Sequence, residues 1–274
     1  MADLQALPFP EAEAPWHCKG EAFWFFGHNS ASMQLSAAHY GDLERESSFS
    51  DPAVSGKFQG GLCSAMFVRY TESPVGPYDE LIWVPGKFDV PVGGPVASRI
   101  TRIYVSTKES IYNGRRNWNI AKAQAHFDFT PNPKAKKNGL PYSKISVASP
   151  SDPEHPFFVA EITPSMTTST SLPFSTLYVP LSMYMAHPPL PQSPNWRETG
   201  QVGTDSWLAL TPVMKGKAGV FWAQGGLESR RYGDDVGFPD IKLWSLGMWL
   251  KDFELEFGIS KLLPNATQKD EKKQ

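Results

Sequence analysis

Apolar residues along this chain come in short blocks cut by glycine and proline, and few blocks keep the spacing of an amphipathic helix. The 25 prolines and 22 glycines are spread throughout, which suits many short strands and leaves little room for long helices. Leu62 to Thr71 (LCSAMFVRYT) and Leu81 to Val84 carry β-favouring residues without helical spacing, on either side of the turn-like SPVGPY stretch. Ile100 to Thr107 (ITRIYVST) is rich in β-branched and aromatic residues, and Ala125 to Phe129 (AHFDF) alternates with period two. Further strands are expected at Phe157 to Ile162, Phe174 to Val179, Ser206 to Leu210, Gly219 to Ala223 and Leu246 to Phe257, the last with a bend. This succession predicts a mainly β (α+β) domain, a barrel or a sandwich, with a few short helices.

The segment SIYNGRRNWNIAKAQ between two predicted strands is the main candidate for a helix: Asn113-Gly114 reads as a turn, followed by one or two helical turns. Pro131 to Lys137 (PNPKAKK) and Pro188 to Pro194 (PPLPQSP) read as exposed loops, and Thr267 to Gln274 as a polar tail. No repeat suggests a solenoid or propeller.

Composition narrows the class. With 41% apolar and 13% aromatic residues the chain can bury a core without metals or disulfides. A formal charge of −2 and a pI near 6.3 give no pull toward nucleic acid or an anionic membrane, so neither is an expected partner. Cys18 and Cys63 are too few for a disulfide framework, which points to a reducing compartment. The start MADLQALPFPEAEAPWHCKG has neither the basic opening nor the apolar run of a signal peptide, and no run of 18 apolar residues follows. A cytoplasmic location is expected. The sequon-like Asn265-Ala266-Thr267 carries no weight in that setting.

Two segments bear on chemistry: Ser73-Pro74-Val75-Gly76-Pro77-Tyr78-Asp79-Glu80, and Asn113-Gly114-Arg115-Arg116-Asn117-Trp118-Asn119-Ile120-Ala121-Lys122. Together they resemble acetoacetate decarboxylase-like proteins. In that family a Gly-x-Tyr-x-Glu segment precedes a Gly-Arg segment that reaches the Schiff-base lysine eight residues after its Gly. Here Gly76, Tyr78 and Glu80 match the first, and Gly114, Arg115 and Lys122 the second. The resemblance implies a largely antiparallel β-barrel-like domain over residues 20–260, between an N-terminal extension at 1–19 and a polar tail at 261–274. It also implies Lys122 as reactive amine, Glu80 as its carboxylate partner and no cofactor. Arg115, Arg116, Tyr78 and Trp118 are then candidates for binding a small carbonyl substrate, and assembly into homo-oligomers is a further expectation.

A lysine amine attacks a ketone only after losing its proton, and its ordinary pKa of about 10.4 makes the free amine scarce. Desolvation or a second positive charge corrects this, an activation for which acetoacetate decarboxylase itself is a standard illustration. This chain departs from the best-known members in reading Ala121-Lys122-Ala123 where they have Pro-Lys-Lys. It also lacks a match for their N-terminal substrate-carboxylate arginine, Lys19 being only a nearby cation. Arg115 or Arg116 could supply charge if the turn folded back toward Lys122. The ordinary alternative for Lys122 is a surface lysine with its stem over Trp118, and for Glu80 a turn or edge-strand carboxylate.

Six histidines, at 17, 28, 39, 126, 155 and 187, show no HxH or HxxxH spacing for metal, and His126 reads as part of a strand. No GxSxG elbow, P-loop or Rossmann fingerprint is present. The leading expectation is a cofactor-independent lyase, a decarboxylase of a β-keto acid or related carbonyl compound acting through a Lys122 imine, in a setting such as secondary metabolism. Schiff-base aldol or dehydration chemistry, and a non-catalytic barrel binding a small apolar ligand, stay open beside it.

Overall fold

The structure is a computed structural model that describes residues 7–135, 139–166, 168 and 172–264. The end of the PNPKAKK loop, the sequon and the Thr267–Gln274 tail lie outside these residues. The described chain forms a single connected sheet system of sixteen strands. The first half contributes β1 (Trp16–Asn29), β2 (Phe58–Glu72), β3 (Tyr78–Val84), β4 (Lys87–Phe88), β5 (Ala97–Ser98), β6 (Arg102–Val105), β7 (Lys122–Gln124) and β8 (His126–Pro131). The second half contributes β9 (Tyr142–Ser149), β10 (Asp152–Pro164), β11 (Leu172–Ser175), β12 (Met185–His187), β13 (Leu208–Leu210), β14 (Val213–Gly225), β15 (Leu243–Phe257) and β16 (Lys261–Leu262). Helices are α1 (Pro52–Ser55), α2 (Lys108–Trp118) and α3 (Trp196–Thr199).

Ten strands pair in the order β7-β6-β3-β2-β1-β15-β14-β10-β9-β8, antiparallel except for β6 with β7. The two ends of that order, β7 and β8, are separated in the chain by Ala125 alone. The sheet must therefore curl until its ends meet, which gives the barrel-like form. Ala125 is buried and its N–H donates to Val105 O at 3.0 Å, holding the seam.

Both faces of this sheet are covered, so its central strands carry apolar residues at consecutive positions. One face packs Phe23, Phe25, Phe67, Trp83, Phe158 and Phe221 from strands all round the order and fills the enclosed side. The other face, with Trp24, Met66, Val68, Ile82 and Ile103, meets α2 and a small layer formed by β4, β5, β12, β13 and β16. Three buried arginines tie irregular segments to this frame. Arg99 donates to Ser55 O, Arg102 to Tyr40 O, and Arg115 to Val202 O and Pro191 O.

Several predicted elements differ from the fold. Strand β1 begins at Trp16 and β16 covers Lys261–Leu262, so the sheet overruns both limits of the expected 20–260 domain. Trp16 and Cys18 are core residues. The Phe174–Val179 strand is instead Leu172–Ser175, and the Leu246–Phe257 strand starts at Leu243 and carries its expected bend as a bulge at Lys251-Asp252, where Asp252 has φ 48°. The Pro188–Pro194 loop is not fully exposed: Pro188 and Leu190 are buried, and the carbonyls of Pro188 and Pro191 accept from Asn119 and Arg115. Among the described residues no helix is long and apolar enough to cross a membrane.

His187 is fully buried in β12, where its Nε2 accepts the Ile100 N–H at 3.2 Å. Burial, and then the Arg99 guanidinium, push His187 down to about 3, and burial pushes His39 down to about 4. Both are thus neutral in the native protein while the unfolded imidazoles take up protons near pH 6.5. Below that pH the unfolded state binds more protons, so stability falls as pH drops, by about 1.4 kcal/mol per pH unit for each histidine. Urea unfolding should weaken progressively from about pH 6.5 to pH 4, with a shallower slope in His187→Gln. An unfolding free energy that stays flat over this range would contradict the assignment.

Candidate active site

Glu80 sits on β3 between Tyr78 and Ile82, and the period of two puts all three on the face that meets α2. Register continues this face across the sheet: Ile82 pairs with Ile103, and Ile103 with Lys122 on the parallel strand β7. Helix α2 lies over these residues. It carries Glu109 in its first turn and Arg115 and Arg116 in its last, which suits the helix dipole. It ends at Asn119, in the left-handed conformation (φ 53°), whose side chain donates to Ser206 O and Pro188 O. Three residues later the chain enters β7 at Lys122.

Asn113-Gly114 is accordingly not a turn but the middle of an eleven-residue helix. Asn113 is held there by its side chain, which donates to Pro10 O and Glu109 O and accepts the Ala12 N–H. Gly114 has a steric reason, since a Cβ would lie 2.7 Å from both Cδ and Cε of Lys122. The helix can approach the lysine stem only at a residue without a side chain.

Lys122 is 4% exposed, which removes the surface-lysine alternative. Its Nζ donates to Glu80 Oε2 at 2.8 Å and to Ser110 Oγ at 2.9 Å, and lies 5.2 Å from the centre of the Tyr78 ring. Tyr70 donates its hydroxyl to the other carboxylate oxygen, Glu80 Oε1, at 3.2 Å. Burial, and next the Glu80 charge, push both Tyr70 and Tyr78 well above the ordinary phenol range, so both remain protonated donors. A cavity of about 20 Å³ adjoins the pair, walled by Trp16, Trp118, Ile103, Ile120 and Phe257. That is room for about one water molecule. Cys18 is the other nucleophile on this cavity; burial and the Glu80 charge push its thiol up to about 12, so thiolate is scarce near neutral pH.

The fold therefore brings together Lys122, Glu80, Tyr78 and Trp118, the last fixed by donation from its Nε1 to Gly258 O at 2.8 Å. It does not bring Arg115 or Arg116 there, contrary to their expected place at the substrate. Arg115 is buried on a flank of the helix turned away from Lys122, spanning Glu44 at 2.7 Å and the carbonyls of Val202 and Pro191. Arg116 is half-exposed and pairs with Glu11 at 2.9 Å. On a helix, neighbours in sequence point about 100° apart, so with Gly114 facing Lys122 the two arginines face elsewhere. Lys19 is paired with Glu72 on the surface. Sequence reading missed Ser110, which lies one turn before Gly114 on the same helix face, and Tyr70, the cross-strand partner of Tyr78. Among the described residues no three His, Cys, Asp or Glu side chains converge to hold a metal ion.

No protein-family profile matches the chain, and no curated protein matches it. Solved structures do. The chain is similar to an acetoacetate decarboxylase at 11% identity and a TM-score of 0.55, over 97% of this chain and 95% of that one. It is similar to the acetoacetate decarboxylase of Legionella pneumophila at 12% identity and a TM-score of 0.51, over 96% and 94%. It is also similar to the enduracididine biosynthesis enzyme MppR complexed with pyruvate, at 13% identity and a TM-score of 0.54, over 92% and 91%. A closed, mostly antiparallel sheet with a helix packed over one face is thus a known architecture. The chain has the acetoacetate decarboxylase-like fold.

Removing one partner of a buried ion pair strands the other charge in apolar surroundings, at a cost of about 3–5 kcal/mol. Lys122→Met and Glu80→Gln should each lose about that much unfolding free energy in urea, and the double variant should recover most of it. Additive losses in the double variant would show that the two side chains do not act as a pair.

Proposed function

We propose that the chain is a cofactor-independent lyase that forms an imine between Lys122 Nζ and the carbonyl of a small keto compound. The observation that carries this reading is a buried amine held 2.8 Å from a buried carboxylate at the edge of an apolar cavity. Imine formation requires Nζ to surrender protons and the carbinolamine oxygen to leave as water. Glu80 Oε2 is within reach to take and return those protons, and Ser110 Oγ holds Nζ in line. Tyr70 keeps the carboxylate turned toward the lysine. The resulting iminium accepts the electron pair of the neighbouring carbon–carbon bond as it breaks, giving an enamine and a released fragment. Protonation of the enamine and hydrolysis of the imine then regenerate the amine.

Within this scheme the released fragment is either carbon dioxide or a second carbonyl compound. Because Arg115 and Arg116 are committed to other partners, neither is available as a clamp for a substrate carboxylate. That favours aldol-type cleavage or condensation as the second reading. It is supported by MppR, a protein of similar fold solved with the condensation product of pyruvate and imidazole 4-carboxaldehyde.

An amine that forms imines reversibly exchanges the ketone oxygen with water. In heavy-oxygen water the native protein should label a ketone far faster than buffer does. Glu80→Gln should slow this by on the order of a hundredfold, and the Lys122→Met/Glu80→Gln double variant should reduce it to the buffer rate. Labelling by native protein at the buffer rate, across a set of ketones and keto acids, would overturn the proposal.

A further inference from the structure

The 20 Å³ beside Lys122 admits little more than a carbonyl group, so the remainder of any substrate must lie elsewhere. A second void of about 90 Å³ adjoins it. Ile82, Ile100, Leu255 and Phe257 line both, and their side chains form the partition. Sheet register gives the direct line between them. Lys122 pairs with Ile103, Ile103 with Ile82, Ile82 with Met66 and Met66 with Trp24, a single row across five strands in which Lys122 is the only charged member. At the usual strand spacing, Lys122 and Met66 are about 14 Å apart along this row.

The second void is bounded by Met66, Met183, Met185, Met214 and Trp24, and polar side chains enter as Lys87 and the serines Ser64, Ser98 and Ser182. At the roughly 30 Å³ that a water molecule occupies in the liquid, its size corresponds to about three water-sized groups, yet an apolar lining offers water few hydrogen bonds. Methionine side chains are unbranched and flexible, and adjust to chains of differing shape. A void of this kind loses dispersion contacts that an alkyl chain would restore.

We infer that the substrate of the Lys122 centre is a ketone or keto acid bearing an unbranched alkyl chain of medium length. Its carbonyl meets Nζ while the chain follows the Ile103–Ile82–Met66 row into the methionine-lined void. This rests on the imine reading of Lys122. The partition side chains must shift rotamer to admit the chain, and all four are apolar, so no ion pair is broken in doing so.

The test is heavy-oxygen exchange with acetone, butanone and methyl hexyl ketone, alongside calorimetric binding of the secondary alcohol matching the last, which cannot form an imine. Each methylene placed in the void should raise kcat/KM for exchange about fourfold, so methyl hexyl ketone should exceed acetone at least tenfold. Ser64→Phe, which fills the void from β2, and Met183→Trp, which fills it from the loop before β12, should each abolish that preference and the alcohol's binding. Circular dichroism checks that both variants are folded. Exchange independent of chain length, or a preference that survives both folded variants, would overturn the inference. Should no ketone exchange at all, the imine reading fails. The alcohol then decides the void by itself: saturable binding lost in either folded variant supports an alkyl-chain site, and its absence overturns one.

Discussion

An ammonium and a carboxylate 2.8 Å apart, both almost removed from water, are the constraint around which this fold is arranged. Burying two charges is costly unless their geometry is good and their remaining hydrogen-bonding capacity is met. Tyr70 occupies the second oxygen of Glu80, and Ser110 takes a second proton of Lys122. Those four side chains come from β2, β3, α2 and β7, so the pair forms only when sheet and helix are already docked. Gly114 follows from the same requirement, because any side chain at that point would collide with the lysine stem. The pair also has a chemical consequence: the neighbour of the amine is a proton acceptor rather than a second cation.

Sheet closure delivers the pair to its place. One residue, Ala125, joins strands at opposite ends of a ten-strand order, and this forces curvature without a long crossover. The concave side is filled by aromatic rings, among them Phe25 against Phe221 and Phe67 against Phe158, each with centroids 5.2 Å apart. With that side occupied, chemistry is left to the other face, between the sheet and α2. There the row from Lys122 through Ile103 and Ile82 to Met66 connects a charged centre to apolar space.

Much of this was legible in the residues, unevenly and for physical reasons. Strands such as β2, β3 and β10 were readable because β-branched and aromatic residues cluster in them between turns. Strand β1 was not, because burial of consecutive residues from Ala22 to Phe25 on both faces erases the alternation there. Lys122 and Glu80 were found through spacing that resembles a known family, and the fold agrees with that resemblance. Arg115 and Arg116 were misplaced because Asn113-Gly114 suggested a turn that could swing them toward the lysine. Asn113 instead bonds across to Pro10 and Ala12, tertiary contacts that no local pattern reveals. The partition between two voids, likewise, depends on register and is invisible in a linear sequence.

The most direct test of the central claim is borohydride reduction of the protein in the presence of a ketone, followed by peptide mass mapping. Reduction converts a reversible imine into a stable secondary amine on the lysine that formed it. The account predicts one ketone-derived adduct, on the peptide containing Lys122, formed by the native fold and absent from the Lys122→Met/Glu80→Gln variant. Adducts spread over exposed lysines, or a folded protein with no adduct at Lys122, would contradict it.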